Sequence, residues 1–250
     1  MTDKERPLLS HLVELRSRLL KMIACIGLFF IILFPFANPL YNFLSAPLIA
    51  QLPQGGTMIA IDVASPFLAP FKLVLLLAVS LSIPVLVYQF WAFVSPGLYR
   101  QEKRLALPIL LSSTLLFYVG MVFAYYIVFP LMFGFFSSVA PEGISLMTDI
   151  NRYLNFVIKI FIAFGVAFEV PIITLMLVKT GVTTTESLIR KRPYIIVGAF
   201  VVGMILTPPD VISQILLAIP IWLLFEIGIL ICKFSANTRA RETAPLKEQL

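Results

Sequence analysis

Four carboxylates stand where an apolar chain has little use for them. Glu14 lies in Ser10-His11-Leu12-Val13-Glu14-Leu15-Arg16-Ser17-Arg18-Leu19-Leu20-Lys21, directly ahead of a long apolar run and among cations. Glu102 follows a Ser95-Pro96-Gly97 turn and sits among Arg100, Lys103 and Arg104. Glu169 and Glu226 interrupt apolar segments. A carboxylate on a basic surface can hold a guanidinium through two parallel hydrogen bonds, a geometry an ammonium cannot match. Membrane topology asks only for the cations, because acids add little to the inner-side bias set by Lys and Arg. The plainer alternative is a charged flank with an i, i+4 pair between Glu14 and Arg18, and a solvated salt bridge around Glu102. An acid at bilayer depth costs on the order of 2.5–3.5 kcal/mol on insertion scales. Glu169 is therefore expected to be protonated, paired or facing a wet cavity, as a proton carrier, a contact for a partner helix or a brace between two helices. Glu226, close to Cys232 and the inner interface, is expected to be wetted and to serve the structural role, a hydrogen-bonded brace between two helices.

Other chemistry is not expected. His11 is the one histidine in the sequence, and no nucleophile–base set, phosphate loop or metal-ligand spacing accompanies it. Neither an enzyme nor a metal or cofactor site is expected. Cys25 and Cys232 both fall at the inner ends of apolar segments, where a structural disulfide is not expected.

The elements that must position these acids are membrane helices. Hydrophobic residues make up 60% of the 250, charged residues 13%, and mean hydropathy is +0.98. A soluble domain carries about 25% charged residues. Six apolar segments stand out, at Met22–Ala37, Leu73–Val94, Leu105–Phe129, Leu154–Val178, Tyr194–Leu206 and Val211–Cys232. A crossing helix needs roughly 20 residues. The fifth segment reaches only about 20 Å at ~1.5 Å per residue, and the sixth carries polar interruptions. The chain is thus expected to be all-α, a polytopic membrane protein. Residues 1–232 form a single membrane domain that opens with an amphipathic segment at the membrane surface, and 233–250 a polar tail. The first segment has the basic flank of a signal peptide, but no small-x-small site follows Phe36 and more spans follow, so it reads as a retained span.

Of the 19 Lys and Arg residues, all but Lys72, Arg152 and Lys159 fall on segments that share one side with the N-terminus. The positive-inside bias then puts both termini in the cytoplasm. The net charge of +6 is accounted for by this orientation and not by a nucleic-acid surface. Asn38-Pro39 and Ser65-Pro66 read as a capping side chain before proline at a helix start. A short interfacial helix over Pro39–Leu52 is expected to break near Pro47. Asp149 and Asp210 read as caps of the fourth and sixth spans, the latter after the tight turn at Pro208-Pro209. Pro171 is expected to bend the fourth span beside Glu169.

Several of these stretches, in this order, resemble the TatC family, the multi-spanning component of the twin-arginine protein translocase. They are His11-Leu-x-Glu14-Leu-Arg16-x-Arg18, Ser95-Pro96-Gly97-Leu98-Tyr99 with Glu102, Phe168-Glu169-Val170-Pro171, Lys191-Arg192-Pro193-Tyr194 and Leu206-Thr207-Pro208-Pro209-Asp210. The resemblance runs over essentially residues 8–232. It implies six transmembrane helices in a cupped arrangement in the bacterial inner membrane. It implies recognition of folded cargo bearing twin-arginine signal peptides, with transport driven by the proton motive force. Single-span TatA and TatB would be partners, and the chain would self-associate in a larger complex within the lipid bilayer. By the same resemblance Glu14 and Glu102 would bind the signal peptide, with Arg16 in the same surface. Glu169, Thr207 and Gln214 would form a polar contact region inside the membrane, and Pro47, Phe93 and Asp210 match positions that recur in the family. Lys159 and the tail match none of the family's motifs.

A proton-coupled small-molecule transporter using Glu169 is the rival reading. The sequence has no internal repeat and no matched pair of broken helices, features that class often shows.

Overall fold

A computed structural model describes residues 5–50, 57–94, 103–139, 147–207 and 211–243. The described chain is almost wholly helical. Five stretches are long and apolar enough to cross a membrane, namely Val13–Ile49, Ser65–Gln89, Leu107–Ser138, Ile150–Lys179 and Val211–Phe234. A sixth apolar helix, Arg192–Leu206, has 15 residues and so a length of about 22 Å, short of the ~30 Å hydrocarbon core. The six apolar segments and the short fifth one are as the sequence implies.

The chain forms two compact units, one of residues 1–115 and 133–158, the other of 116–132 and 159–250. In the first unit, α1 (Glu5–Leu33) packs along α3 (Ser65–Val94), and α2 (Ala37–Ile49) packs on α3 as well. Phe30 of α1 meets Phe71 of α3 edge-on, with ring centroids 5.0 Å apart. Leu44, Leu48, Leu73, Val74, Leu154 and Val157 are buried here. Tyr153, buried on α6 (Ile150–Ala167), donates its hydroxyl to Leu44 O at 2.7 Å and so ties α6 to α2.

Two expectations about helix punctuation in this unit are corrected. Helix α2 does not break at Pro47 but runs on to Ile49. A proline removes one backbone donor, and burial of Leu44 and Leu48 on either side of Pro47 offsets that loss. Asn38 is not a cap. A 3-10 turn at Phe34–Phe36 carries α1 into α2, whose first turn holds Asn38 and Pro39 without any side-chain cap. Proline is tolerated there because first-turn N–H groups have no helical acceptor. Ser65 does open α3, but its hydroxyl accepts from Asn151 Nδ2.

Asp149 caps α6 as expected. Its Oδ1 accepts from Arg152 N at 2.9 Å and its Oδ2 from Ile61 N at 3.1 Å. The second bond reaches Ile61, just past β1 (Met58–Ile59), from the strand β2 (Thr148–Asp149) that pairs parallel with β1, Met58 opposite Thr148 and Ile59 opposite Asp149. These backbone N–H groups, Arg152's first, hold the Asp149 carboxyl below its ordinary pKa.

In the second unit, α7 (Val170–Lys179), α8 (Thr185–Arg190) and α9 (Arg192–Leu206) pack against α10 (Val211–Thr243). Leu188, Phe225 and Ile229 are buried together under Val170, Val178, Ile189 and Ile195. Helices α7 and α10 cross closely at Gly228, where an added Cβ would lie 2.2 Å from Thr174 Oγ1 and 3.1 Å from Pro171 Cα. Small residues at such crossings let backbones approach when lipid supplies no hydrophobic drive. The remaining span is α4 (Lys103–Phe123) and α5 (Phe129–Ser138), joined by a π-helical turn at Ala124–Val128 that nothing in the sequence pattern announces.

Candidate functional site

Glu14 and Arg18 stand one turn apart on α1, and the i, i+4 pair expected of them is formed. Both Arg18 Nε, at 3.1 Å, and Arg18 Nη2 donate to Glu14 Oε1. The guanidinium does more than pair with its neighbour. Its Nη1 donates to Gln89 Oε1 at 3.2 Å, and its Nη2 donates to Ala92 O at 3.0 Å. Gln89 and Ala92 lie in the last two turns of α3. The C-terminal end of a helix carries its negative partial charge and carbonyls that lack a donor four residues on, so a cation is favoured there. Arg18 thus ties the membrane-entry part of α1 to the end of α3. Its side chain is 19% exposed, whereas that of Glu14 is 40% exposed. Arg16, on the other side of α1, is exposed to solvent.

Gln89 was not among the residues singled out from sequence. The signal was available, however, in a lone amide between Tyr88 and Phe90 near the end of an apolar segment. The structure buries it to 9% exposure, and a guanidinium, which only donates, requires the amide oxygen to face it.

The other candidates fall as follows. Glu102 and Asp210 lie outside the described residues. Phe93 is on α3, with its side chain outside the described set, and Pro47 is on α2. Thr207 and Gln214 come together around Gly203. Thr207 is buried at the end of α9 and donates its hydroxyl back to Gly203 O at 2.9 Å. Gln214 of α10 donates Nε2 to Phe200 O at 2.8 Å and lays its side chain over Gly203, where a Cβ would come within 3.1 Å. The short α9 is therefore stitched to α10 by the Gln214 amide, while the Thr207 hydroxyl is satisfied within α9. Glu169 is half-buried in the turn at Phe168–Glu169 that separates α6 from α7. Pro171 is in the first turn of α7, and the helix is interrupted at Phe168–Glu169 directly before it.

Glu226 braces two helices, the structural role expected of it, with a partner that the sequence did not name. It is bound to Arg192, whose Nη2 donates to Glu226 Oε2 at 2.6 Å, and it is 21% exposed. Arg192 Nε is buried without an acceptor. No group of three or more His, Cys, Asp or Glu side chains suited to a metal occurs among the described residues.

Residues 10–220 match the family model described as Sec-independent protein translocase protein, TatC. The chain belongs to the TatC family. It is 58% identical over 241 residues to the TatC of Azotobacter chroococcum, covering 96% of this chain and 93% of that one. It is 57% identical to the TatC of Escherichia coli K12 over 232 residues, covering 93% and 90%. The crystal structure of a twin-arginine translocase receptor TatC, 39% identical, superposes with a TM-score of 0.79 over 90% of this chain and 99% of that one. This member of the TatC family is a subunit of the twin-arginine protein translocase. It is a multi-pass protein of the bacterial inner membrane, a transport component and not an enzyme. Membership in the family sets aside the small-molecule transporter.

Proposed function

We propose that this TatC-family chain is the receptor subunit that binds paired-arginine signal peptides of folded cargo at the cytoplasmic face. Glu14 and Glu102 take the two guanidiniums, with Arg16 beside them. The observation that carries the reading is the state of Glu14. One of its oxygens is engaged by Arg18, and its side chain remains 40% exposed on a stretch of helix that also carries Arg16, Arg18 and Lys21. A carboxylate has about four lone-pair positions in all, so it can hold one guanidinium and still receive a second. Both termini lie in the cytoplasm on this reading, in keeping with the distribution of Lys and Arg.

The same subunit organises single-span TatA and TatB partners and copies of itself, and transport is driven by the proton motive force. The short α9 with α10 is the place for a partner helix, alongside Glu169, Thr207 and Gln214. A ~22 Å helix in a ~30 Å core leaves a mismatch that costs a fraction of a kcal/mol per Å, and a neighbour can shield it. A photo-crosslinker at Ser17, exposed on α1 between Arg16 and Arg18, tests the receptor reading. It is expected to capture a signal peptide with its Arg pair and not one with Gln-Gln. Equal capture of both would contradict the assignment.

A further inference from the structure

We propose that Arg18 is a positioning residue for signal-peptide recognition, clamped by Gln89 so that Glu14 offers one fixed, open oxygen. The inference rests on the reading of Glu14 as a signal-peptide acid and says how that acid is made selective. A guanidinium has five N–H donors in a rigid plane. Arg18 commits four of them, with Nε and one Nη2 hydrogen on Glu14 Oε1, Nη1 on Gln89 Oε1 and the other Nη2 hydrogen on Ala92 O. Donors in one plane, held on three acceptors from two helices, leave the group little freedom to turn.

The consequence passes to Glu14. All the hydrogen bonds it makes to Arg18 end on Oε1, and its Oε2 accepts none from the described residues. A surface Glu ordinarily samples many rotamers, and an exposed ion pair alone holds it weakly. Here the partner is itself anchored to the buried amide of Gln89 and to the end of α3, so Oε1 is held in place and Oε2 is left as the oxygen for an incoming guanidinium. Two N–H groups of an incoming guanidinium can end on that one oxygen only if the carboxylate is held in place, while a point-charge ammonium is less sensitive to it. Arg18 therefore discriminates through Glu14 without being required to touch the peptide. Lys at position 18 would carry the same charge but could not span Glu14, Gln89 and Ala92 from one nitrogen.

The test is a coupling measurement on the intact, purified translocase complex. Affinity for an Arg-Arg signal peptide is compared between wild type, Gln89→Leu, Glu14→Ala and the double variant, with folded complex counted by size-exclusion chromatography. Gln89→Leu removes the acceptor of Arg18 Nη1 and touches neither charge. It is expected to weaken Arg-Arg binding about 3- to 10-fold in the wild-type background. It should change nothing in the Glu14→Ala background, because groups acting through one carboxylate do not add. Equal weakening in both backgrounds would show a general structural role and overturn the proposal. So would unchanged binding by Gln89→Leu, or tighter binding, which would make Arg18 a competitor of the peptide. Should Gln89→Leu not assemble, Arg18→Lys decides by the same comparison. If Glu14→Ala alone binds as wild type does, the assignment of Glu14 fails, a result separate from failure of the clamp.

Discussion

Arg192 Nη2 donates to Glu226 Oε2 at 2.6 Å and joins the first turn of α9 to the middle of α10. It is an inter-helix ion pair in the second unit, at the base of the short apolar helix α9. The two side chains are 40% and 21% exposed, so water screens part of their attraction. Glu226→Gln is expected to destabilise the protein by about 1 kcal/mol. In a chain of this size that lowers Tm by about 2–4 °C. Thermal unfolding in detergent reads it, and an unchanged Tm would show that the pair contributes nothing.

Asp149 gives a pH dependence with a definite sign. Backbone N–H groups hold its carboxyl below the ordinary value in the folded state. A depressed folded-state pKa contributes stability that is present above the unfolded pKa and lost as pH falls through the folded one. Loss of a helix cap costs about 1 kcal/mol. Asp149→Ala should therefore unfold at lower temperature than wild type at pH 7, and the gap should close as pH falls below the carboxylate range. A gap that persists unchanged into acid would contradict the capping role.

The crossing at Gly228 is expected to tolerate no side chain. Gly228→Ala places a methyl 2.2 Å from Thr174 Oγ1 and 3.1 Å from Pro171 Cα. Helices α7 and α10 must then separate or tilt, at about 1–3 kcal/mol. Adding Thr174→Ala should recover part of the loss but not all, since the Pro171 backbone stays in place. Wild-type stability of Gly228→Ala would contradict the close crossing.

The features that could be read from sequence are those whose partners are near in the chain. The pair of Glu14 with Arg18 follows from helical spacing, and the cap at Asp149 from its place before an apolar run. The spans and the short α9 follow from hydropathy and length. What escaped depends on packing across the chain. Gln89 reaches Arg18 over 71 residues, and Arg192 reaches Glu226 over 34, so neither pair has a local pattern. The expected break at Pro47 was wrong because burial of Leu44 and Leu48 outweighs one lost backbone bond. The cap bond of Asp149 to Ile61 was invisible for the same reason as Gln89, spanning 88 residues.

The short hairpin makes a prediction about partners. Met204 and Ile205 near the end of α9 and Val211 at the start of α10 are exposed apolar side chains. Cysteines there are expected to crosslink to a single-span partner in native membranes. Crosslinks that arise only from α1 and α4 would place the partner elsewhere.

The account centres on Glu14 and Glu102 as a paired receptor for two arginines. The direct measurement is peptide affinity for wild type, Glu14→Ala, Glu102→Ala and the double variant, each with Arg-Arg and Lys-Lys signal peptides. A hydrogen bond to a charged group is worth roughly 1.5–3 kcal/mol, so each single loss should weaken Arg-Arg binding about ten- to a hundredfold. Lys-Lys binding should fall much less, bringing the two affinities together. Arg-Arg binding at the wild-type level in both single variants would contradict the receptor site. Equal weakening of both peptides would leave the acids a charge role without the two-point pairing argued for them.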